Sequence, residues 1–205
     1  YSYGTYDMHL NTHYWQNSEE MISVDQWSVE HETDKAIEYL CSVRKKEEPF
    51  VLFLSWNPPH SPYDQVPQRY LDRYPDIALK KKVVSGKTVH HTGQLGTETE
   101  EDLRLSTRQY YAAVSGLDEQ FGRIIKCLKA EDLYEDTIVV LSSDHGDMMG
   151  SHGLMGKHVW FEESIRIPFV IRIEGNRKRF CHTCIGSQDM MPTLPGLLNV
   201  ASPDS

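Results

Sequence analysis

Residues 137–158 read TIVVLSSDHGDMMGSHGLMGKH. The opening TIVVL is a β-branched apolar run of strand length, and the small and polar residues behind it end the strand. Working outward, FVLFLSW at residues 50–56 is stopped by Asn57, Pro58 and Pro59 and reads as a second buried strand, and IPFVIRI at residues 167–173 reads as a third. Helical periods separate these runs. Val29, Ala36, Ile37, Leu40 and Val43 recur among charges between residues 28 and 44, closing on Arg44, Lys45 and Lys46. Thr99 and Asp102 stand at capping-box spacing, and behind them Tyr110, Tyr111, Val114, Leu117, Phe121, Ile124, Ile125 and Leu128 recur at three- and four-residue steps. Strands alternating with helices predict an α/β fold: a layered sandwich with a largely parallel central sheet flanked by helices, since parallel neighbours need crossovers long enough to hold a helix. Residues 61–100 are rich in Pro, Gly, Lys and Thr, include Lys80 to Lys82 and His90-His91, and show no sustained period. They read as a long surface loop of the kind that often borders a site.

The 205 residues hold 21 Lys plus Arg against 30 Asp plus Glu, a formal net charge of -9. Such a field repels nucleic acid and anionic membrane, so neither is an expected partner. No apolar run approaches the roughly 18 residues of a membrane span, so no membrane insertion is expected. The chain opens without Met in an aromatic stretch, Tyr1, Tyr3, Tyr6, Tyr14 and Trp15, and this reads as the middle of a longer protein. Cys41, Cys127, Cys181 and Cys184 are too few and too dispersed for a disulfide framework; the CxxC of Cys181 and Cys184 lies in a basic polar loop and reads as two incidental thiols.

In open sheets the ligand crevice lies at the carboxyl ends of strands, which directs attention to His60 and to residues 142–157. Asp144 and His145 offer a carboxylate and an imidazole side by side, with Gly146 letting the backbone turn away, and they are the candidate metal ligands. The plain alternative is a turn-capping Asp beside a half-buried His. Two ligands are too few for calcium, which takes about six to eight oxygens, so others would come from elsewhere. Lys157 sits in a Gly-rich stretch but lacks the Gly and Ser or Thr of a phosphate loop. Beside a metal it would suit a tetrahedral oxyanion as a point charge; without one it is a solvated surface lysine. His60 is stiffened by Pro58, Pro59 and Pro62 and is the candidate general acid, or else a loop histidine bonded to a carbonyl. His152 is a less constrained candidate for substrate contact.

Taken together, Ser143-Asp144-His145-Gly146-Asp147, His152-Gly153-Leu154, Lys157 and Glu163-Ser164-Ile165-Arg166-Ile167-Pro168-Phe169 resemble the sulfatase family of the alkaline phosphatase superfamily. The resemblance extends to Pro59-His60-Ser61-Pro62 and to Asp189, Pro192, Thr193 and Leu194, covering roughly residues 50–200. It implies that Asp144 and His145 hold a divalent metal, calcium first with magnesium or manganese as alternatives. It implies that Lys157 and His60 are catalytic and contact the sulfate, with His60 protonating the leaving alcohol, and that Glu163 and Arg166 are scaffolding. The implied partner is a sulfated small molecule or glycan.

The family's formylglycine arises from Cys or Ser in a Cys/Ser-x-Pro/Ala-x-Arg signature, and its first metal carboxylates from an Asp-Asp pair; no cysteine here fits that signature and no such pair is present. Residues 1–205 are therefore expected to be the middle portion of a sulfatase catalytic domain, inactive alone and a poor holder of metal, with the nucleophile supplied by an N-terminal region. The implied compartment is periplasmic, secreted or lysosomal, with cytoplasmic exceptions. Two rival readings stand beside this one: a phosphonate or phosphodiester monoester hydrolase of the same superfamily, and a pseudoenzyme that keeps the fold as a binding module.

Overall fold

In chain order the elements are β1 (Ser2–Tyr3), β2 (His13–Trp15), β3 (Ile22–Ser23), α1 (Ser28–Val43), α2 (Gln68–Leu71), β4 (Val89–His90), α3 (Glu100–Ala130), β5 (Val139–Ser142), β6 (Leu154–Met155), α4 (Glu162–Ile165), β7 (Phe169–Arg172) and α5 (Met190–Leu197). They belong to a computed structural model that describes residues 2–3, 8–44, 48–78, 89–90, 99–175 and 178–201.

The long helix α3 begins as its sequence demands. Thr99 Oγ1 accepts the Asp102 N–H at 3.2 Å while Asp102 Oδ2 accepts the Thr99 N–H at 2.8 Å, and Glu100, Glu101 and Asp102 set negative charge against the positive end of the helix. The face that α3 buries differs from the one its large side chains suggested. Leu103, Ala112, Ala113, Gly116, Gln120, Ile124 and Leu128 are buried, whereas Tyr111 and Val114 are exposed. Small residues face inward because α3 must come close to a large neighbour. A Cβ on Gly116 would lie 2.7 Å from the Trp27 ring.

Among the described residues, two clusters make up the interior. Trp27, Val29, Val66, Tyr70, Ala112 and Ala113 join the start of α1, the α2 region and the first half of α3. Ala36, Leu40, Ile124 and Leu128 join the later halves of α1 and α3, and Phe50, Leu54 and Val139 pack onto them. Each large apolar side chain buried there contributes about 1.5–3 kcal/mol. Arg123 and Asp34 tie the two helices at 2.6 Å, but both are more than a third exposed, so their contribution is about 1 kcal/mol or less.

The helices match their expected positions; the sheet does not. β7 falls within the apolar run at 167–173 and β5 overlaps the run at 137–141, ending one residue beyond it at Ser142, but they pair antiparallel, from Val139↔Arg172 to Ser142↔Phe169. The chain between them makes an excursion of loop, short turns and the four-residue α4, then returns alongside β5. No helix long enough to carry the chain across the sheet intervenes, and without that crossover the return is antiparallel. The run at 50–56 is extended but enters no ladder among the described residues. Its alternate residues explain this position: Phe50 and Leu54 rest on the helices, while Val51 and Phe53 are 87% and 89% exposed. A largely parallel central sheet is therefore not what the described residues form; their one parallel pair is β4 with β6. The expected loop at 61–100 contains α2 and β4. Lys80 to Lys82 and His91 within it lie outside the described residues, as do Tyr1, Tyr6, Lys45 and Lys46. No helix among the described residues is long and apolar enough to cross a membrane.

Candidate active site

β5 delivers the chain into the loop that carries Asp144 and His145. Ser142 Oγ donates to the Pro168 carbonyl at 3.0 Å, pinning the end of β5 to the approach of β7. Asp144 Oδ1 then accepts the His145 N–H at 2.9 Å, and Asp144 Oδ2 lies 3.2 Å from His145 Nε2. On the far side of the ring, His145 Nδ1 is 2.7 Å from the Gly146 carbonyl. A carbonyl can only accept, so Nδ1 carries a proton, and the Nε2 lone pair of a neutral ring is turned toward the carboxylate. A carboxylate oxygen and a ring nitrogen lone pair turned toward each other can both be offered to one cation. A ring that donates its remote N–H to a backbone carbonyl is also how metal-ligating histidines are usually oriented. The pair thus fits two positions of a divalent cation, and no group of three or more His, Cys, Asp or Glu suited to a metal occurs among the described residues.

Gly146 is needed where it stands. Its N–H donates to the Ser164 carbonyl at 2.8 Å, and a Cβ there would fall 2.0 Å from the Glu163 carbonyl oxygen. The backbone of α4 therefore buttresses the Asp144 loop directly. Farther along, the Met148 N–H donates to Gly156 at 2.7 Å and the Gly150 N–H to Leu154 at 2.9 Å, so the loop doubles back and Lys157 emerges beside Met148. Lys157 makes no hydrogen bond or ion pair among the described residues. A half-exposed ammonium at such a position is available to an anion.

Asp147 makes the second connection. Its carboxylate accepts the Tyr63 hydroxyl at 2.8 Å and the Met149 N–H at 3.0 Å. Tyr63 follows His60 by three residues, so this bond ties the His60 segment to the Asp144 loop. Tyr110, from α3, packs edge-on against Tyr63 with ring centroids 6.1 Å apart. Burial, with the charges of Asp147 and Asp144 adding to it, pushes the Tyr110 hydroxyl up to about 12. Burial likewise raises Tyr63, reinforced by the charge of Asp147 and its hydrogen bond. Both phenols stay protonated at neutral pH, and the Tyr63 hydroxyl helps to hold the Asp147 carboxylate. His60 itself has its N–H on the Asn57 carbonyl at 3.2 Å and its Nδ1 2.6 Å from the Ser61 carbonyl.

His152 is held more firmly than expected. Its backbone takes a positive φ of 57°, its ring stacks on Phe161 at 4.0 Å, and its Nε2 lies 3.8 Å from Glu163 Oε2. The structure thus links the His60 and Asp144 loops through Tyr63 and Asp147, links the Asp144 and Lys157 loops through Met148 and Gly156, and braces His152 on Phe161 and Glu163. Sequence reading passed over Tyr63, Tyr110 and Asp147. Tyr63 falls in an aperiodic stretch, Tyr110 in an apolar stripe and Asp147 beside two more obvious ligands, and a phenol spaced to meet a motif carboxylate leaves no periodic trace. The four cysteines are free thiols, with Cys181 and Cys184 exposed.

The chain belongs to the sulfatase family of the alkaline phosphatase superfamily: a family model described as Sulfatase matches residues 2–200. An endo-4-O-sulfatase of Bacteroides thetaiotaomicron is 34% identical over 205 residues, covering 96% of this chain and 39% of that one. A solved structure from work on glycosaminoglycan metabolism by the same organism superposes with a TM-score of 0.80 at 32% identity, covering 98% of this chain and 41% of the other. A phosphonate monoester hydrolase of Agrobacterium radiobacter is similar at 25% identity and a TM-score of 0.53, covering 69% of this chain and 32% of that one. The chain spans about two fifths of the length of the first two of these relatives.

Proposed function

We propose that these residues are the middle portion of a sulfatase catalytic domain, and that the whole protein hydrolyses a sulfate monoester carried by a glycan. The observation that carries this reading is the Asp144 and His145 pair, facing each other at 3.2 Å in a loop that Asp147 ties to the His60 segment. Similarity to a relative named as an endo-4-O-sulfatase, and to a structure from glycosaminoglycan metabolism, favours a sulfated sugar over a simple aryl ester.

Asp144 and His145 hold two positions of a divalent cation, calcium first with magnesium or manganese as alternatives. Held there, such a cation would supply Lewis-acid charge beside the sulfate and would make a nearby hydroxyl more acidic, that of a formylglycine outside these residues on this reading. Lys157 places a point charge on the same sulfate. At an effective dielectric near 20 and a separation of about 4 Å, that contact is worth about 4 kcal/mol. The acidic background of the molecule is screened beyond about 8 Å, so the local cations outweigh it. His60 gives a proton to the departing ester oxygen, which would otherwise leave as an alkoxide. His152, braced by Phe161 and Glu163, lines the sulfate side.

In the full-length protein, Lys157→Ala and His60→Ala each lower kcat/KM for a sulfate ester by about 10²- to 10⁴-fold. Unchanged kinetics in either variant removes that residue from the mechanism. The likeness to a phosphonate monoester hydrolase keeps a second reading in view, in which the same groups act on a phosphonate ester and the imidazole of His145 favours manganese or iron. Turnover of a sulfate and a phosphonate ester of the same alcohol, compared at one enzyme concentration, separates the two: a sulfatase prefers the sulfate.

A further inference from the structure

We propose that His9 is a positioning residue that sets the orientation of His60, an inference that rests on the sulfatase reading above. Its ring is 1% exposed, and Nε2 donates to the His60 backbone carbonyl at 3.0 Å. Its main chain is fastened on both sides. The N–H groups of His9 and Leu10 both donate to Gln65 Oε1, at 2.5 and 3.2 Å, and the His9 carbonyl accepts the Ser28 N–H at 2.7 Å. Ser28 is the first residue of α1. His9 therefore joins the start of the main helical layer to the two ends of the segment that carries His60 and Tyr63.

The chemistry of the ring suits that task. Burial, the largest influence on it, holds the His9 imidazole below its usual range, so the ring is neutral and carries one proton. The hydrogen bond to a carbonyl places that proton on Nε2. A neutral donor fixed this way cannot exchange protons with substrate; it holds the carbonyl of the residue that does. His9 and His60 line one cavity of about 10 Å³ with Tyr63, Gln65, Gln109 and Tyr110, so displacement of the His60 backbone would also disturb the Tyr63 contact with Asp147. A shift of about 1 Å in a reacting group can cost on the order of 10²-fold in rate, so losing one backbone anchor is expected to appear in turnover rather than in binding.

The test uses the full-length enzyme and a sulfate ester of a poorly acidic alcohol, whose departure needs a proton. His9→Asn, whose amide is too short to reach the carbonyl, lowers kcat by about tenfold or more with KM within about twofold, while His9→Gln, whose amide nitrogen falls near Nε2, stays within about threefold of wild type. In a His60→Ala background, His9→Asn costs nothing further, because both act through one group. If His9→Asn yields no folded protein, Gln65→Leu releases the same segment and carries the same expectations for kcat and for the His60→Ala background. Additive losses with His60→Ala, an unaffected kcat, or a folded His9→Gln as impaired as His9→Asn overturns the inference while leaving the sulfatase reading intact. A wild-type enzyme inert toward sulfate esters overturns that reading, and the inference falls with it.

Discussion

Glu32 sits on α1 at 6% exposure, and burial pushes its carboxyl up to about 8 from 4.5. A carboxyl whose folded pKa lies above its unfolded value takes up a proton on folding. Its contribution to stability is greatest below about 4.5 and declines as pH rises toward about 8, with a slope of up to about 1.4 kcal/mol per pH unit. Above that the cost is constant. Glu32→Gln should therefore match the wild type in urea midpoint near pH 4.5 and become increasingly the more stable of the two toward pH 8; a difference independent of pH would contradict the assignment. Tyr63 is a second residue whose part can be isolated. Its hydroxyl is the tie between Asp147 and the His60 segment, and a hydrogen bond to a charged acceptor is worth about 1.5–3 kcal/mol. Tyr63→Phe in the full-length enzyme should lower kcat/KM by about tenfold; unaltered kinetics would show that the tie does not position the site.

Along α3, two glycines make opposite predictions. Replacing a helical Gly by Ala gains about 0.5–1 kcal/mol, and at Gly122 nothing lies within 4 Å of the new Cβ, so Gly122→Ala should stabilise. At Gly116 the same Cβ would lie 2.7 Å from the Trp27 ring, and overpacking of about 1–3 kcal/mol outweighs the helical gain. Gly116→Ala should destabilise, and thermal unfolding of the two variants reads both signs at once. This pair also shows what the sequence could convey about elements. Helices α1 and α3 were legible because a 3.6-residue period repeats along each and Thr99 with Asp102 announces one start; the register of the buried face was not, since Gly116 and Ala112 carry no apolar signal of their own. Asp144 and His145 were legible as neighbours at a strand end. Asp147 with Tyr63, and His9 with the His60 carbonyl, are contacts across long sequence separations between residue types that are usually solvated, and periodicity does not record them.

At the scale of the whole molecule, the helical layer is in place and the sheet layer is thin. A two-stranded ladder is marginal by itself. Among the described residues β5 pairs with β7 alone, and the extended run at 50–56 rests on α1 and α3 through Phe50 and Leu54 while Val51 and Phe53 on its other face are exposed. The parallel sandwich anticipated from alternating strands and helices needs strand partners that the described residues do not contain, and for this reason the direction of pairing could not be read from the apolar runs. The site, by contrast, is held by contacts within these residues: Gly146 on Ser164, Met148 on Gly156, and Tyr63 on Asp147. The most direct measurement of their common purpose is a crystal structure of the full-length protein with a sulfate ester and calcium. The account predicts Lys157 Nζ and the His60 ring within about 3 Å of one sulfate group, and Asp144 and His145 on one cation beside it. A sulfate bound elsewhere, with Lys157 or His60 turned to solvent, would contradict it.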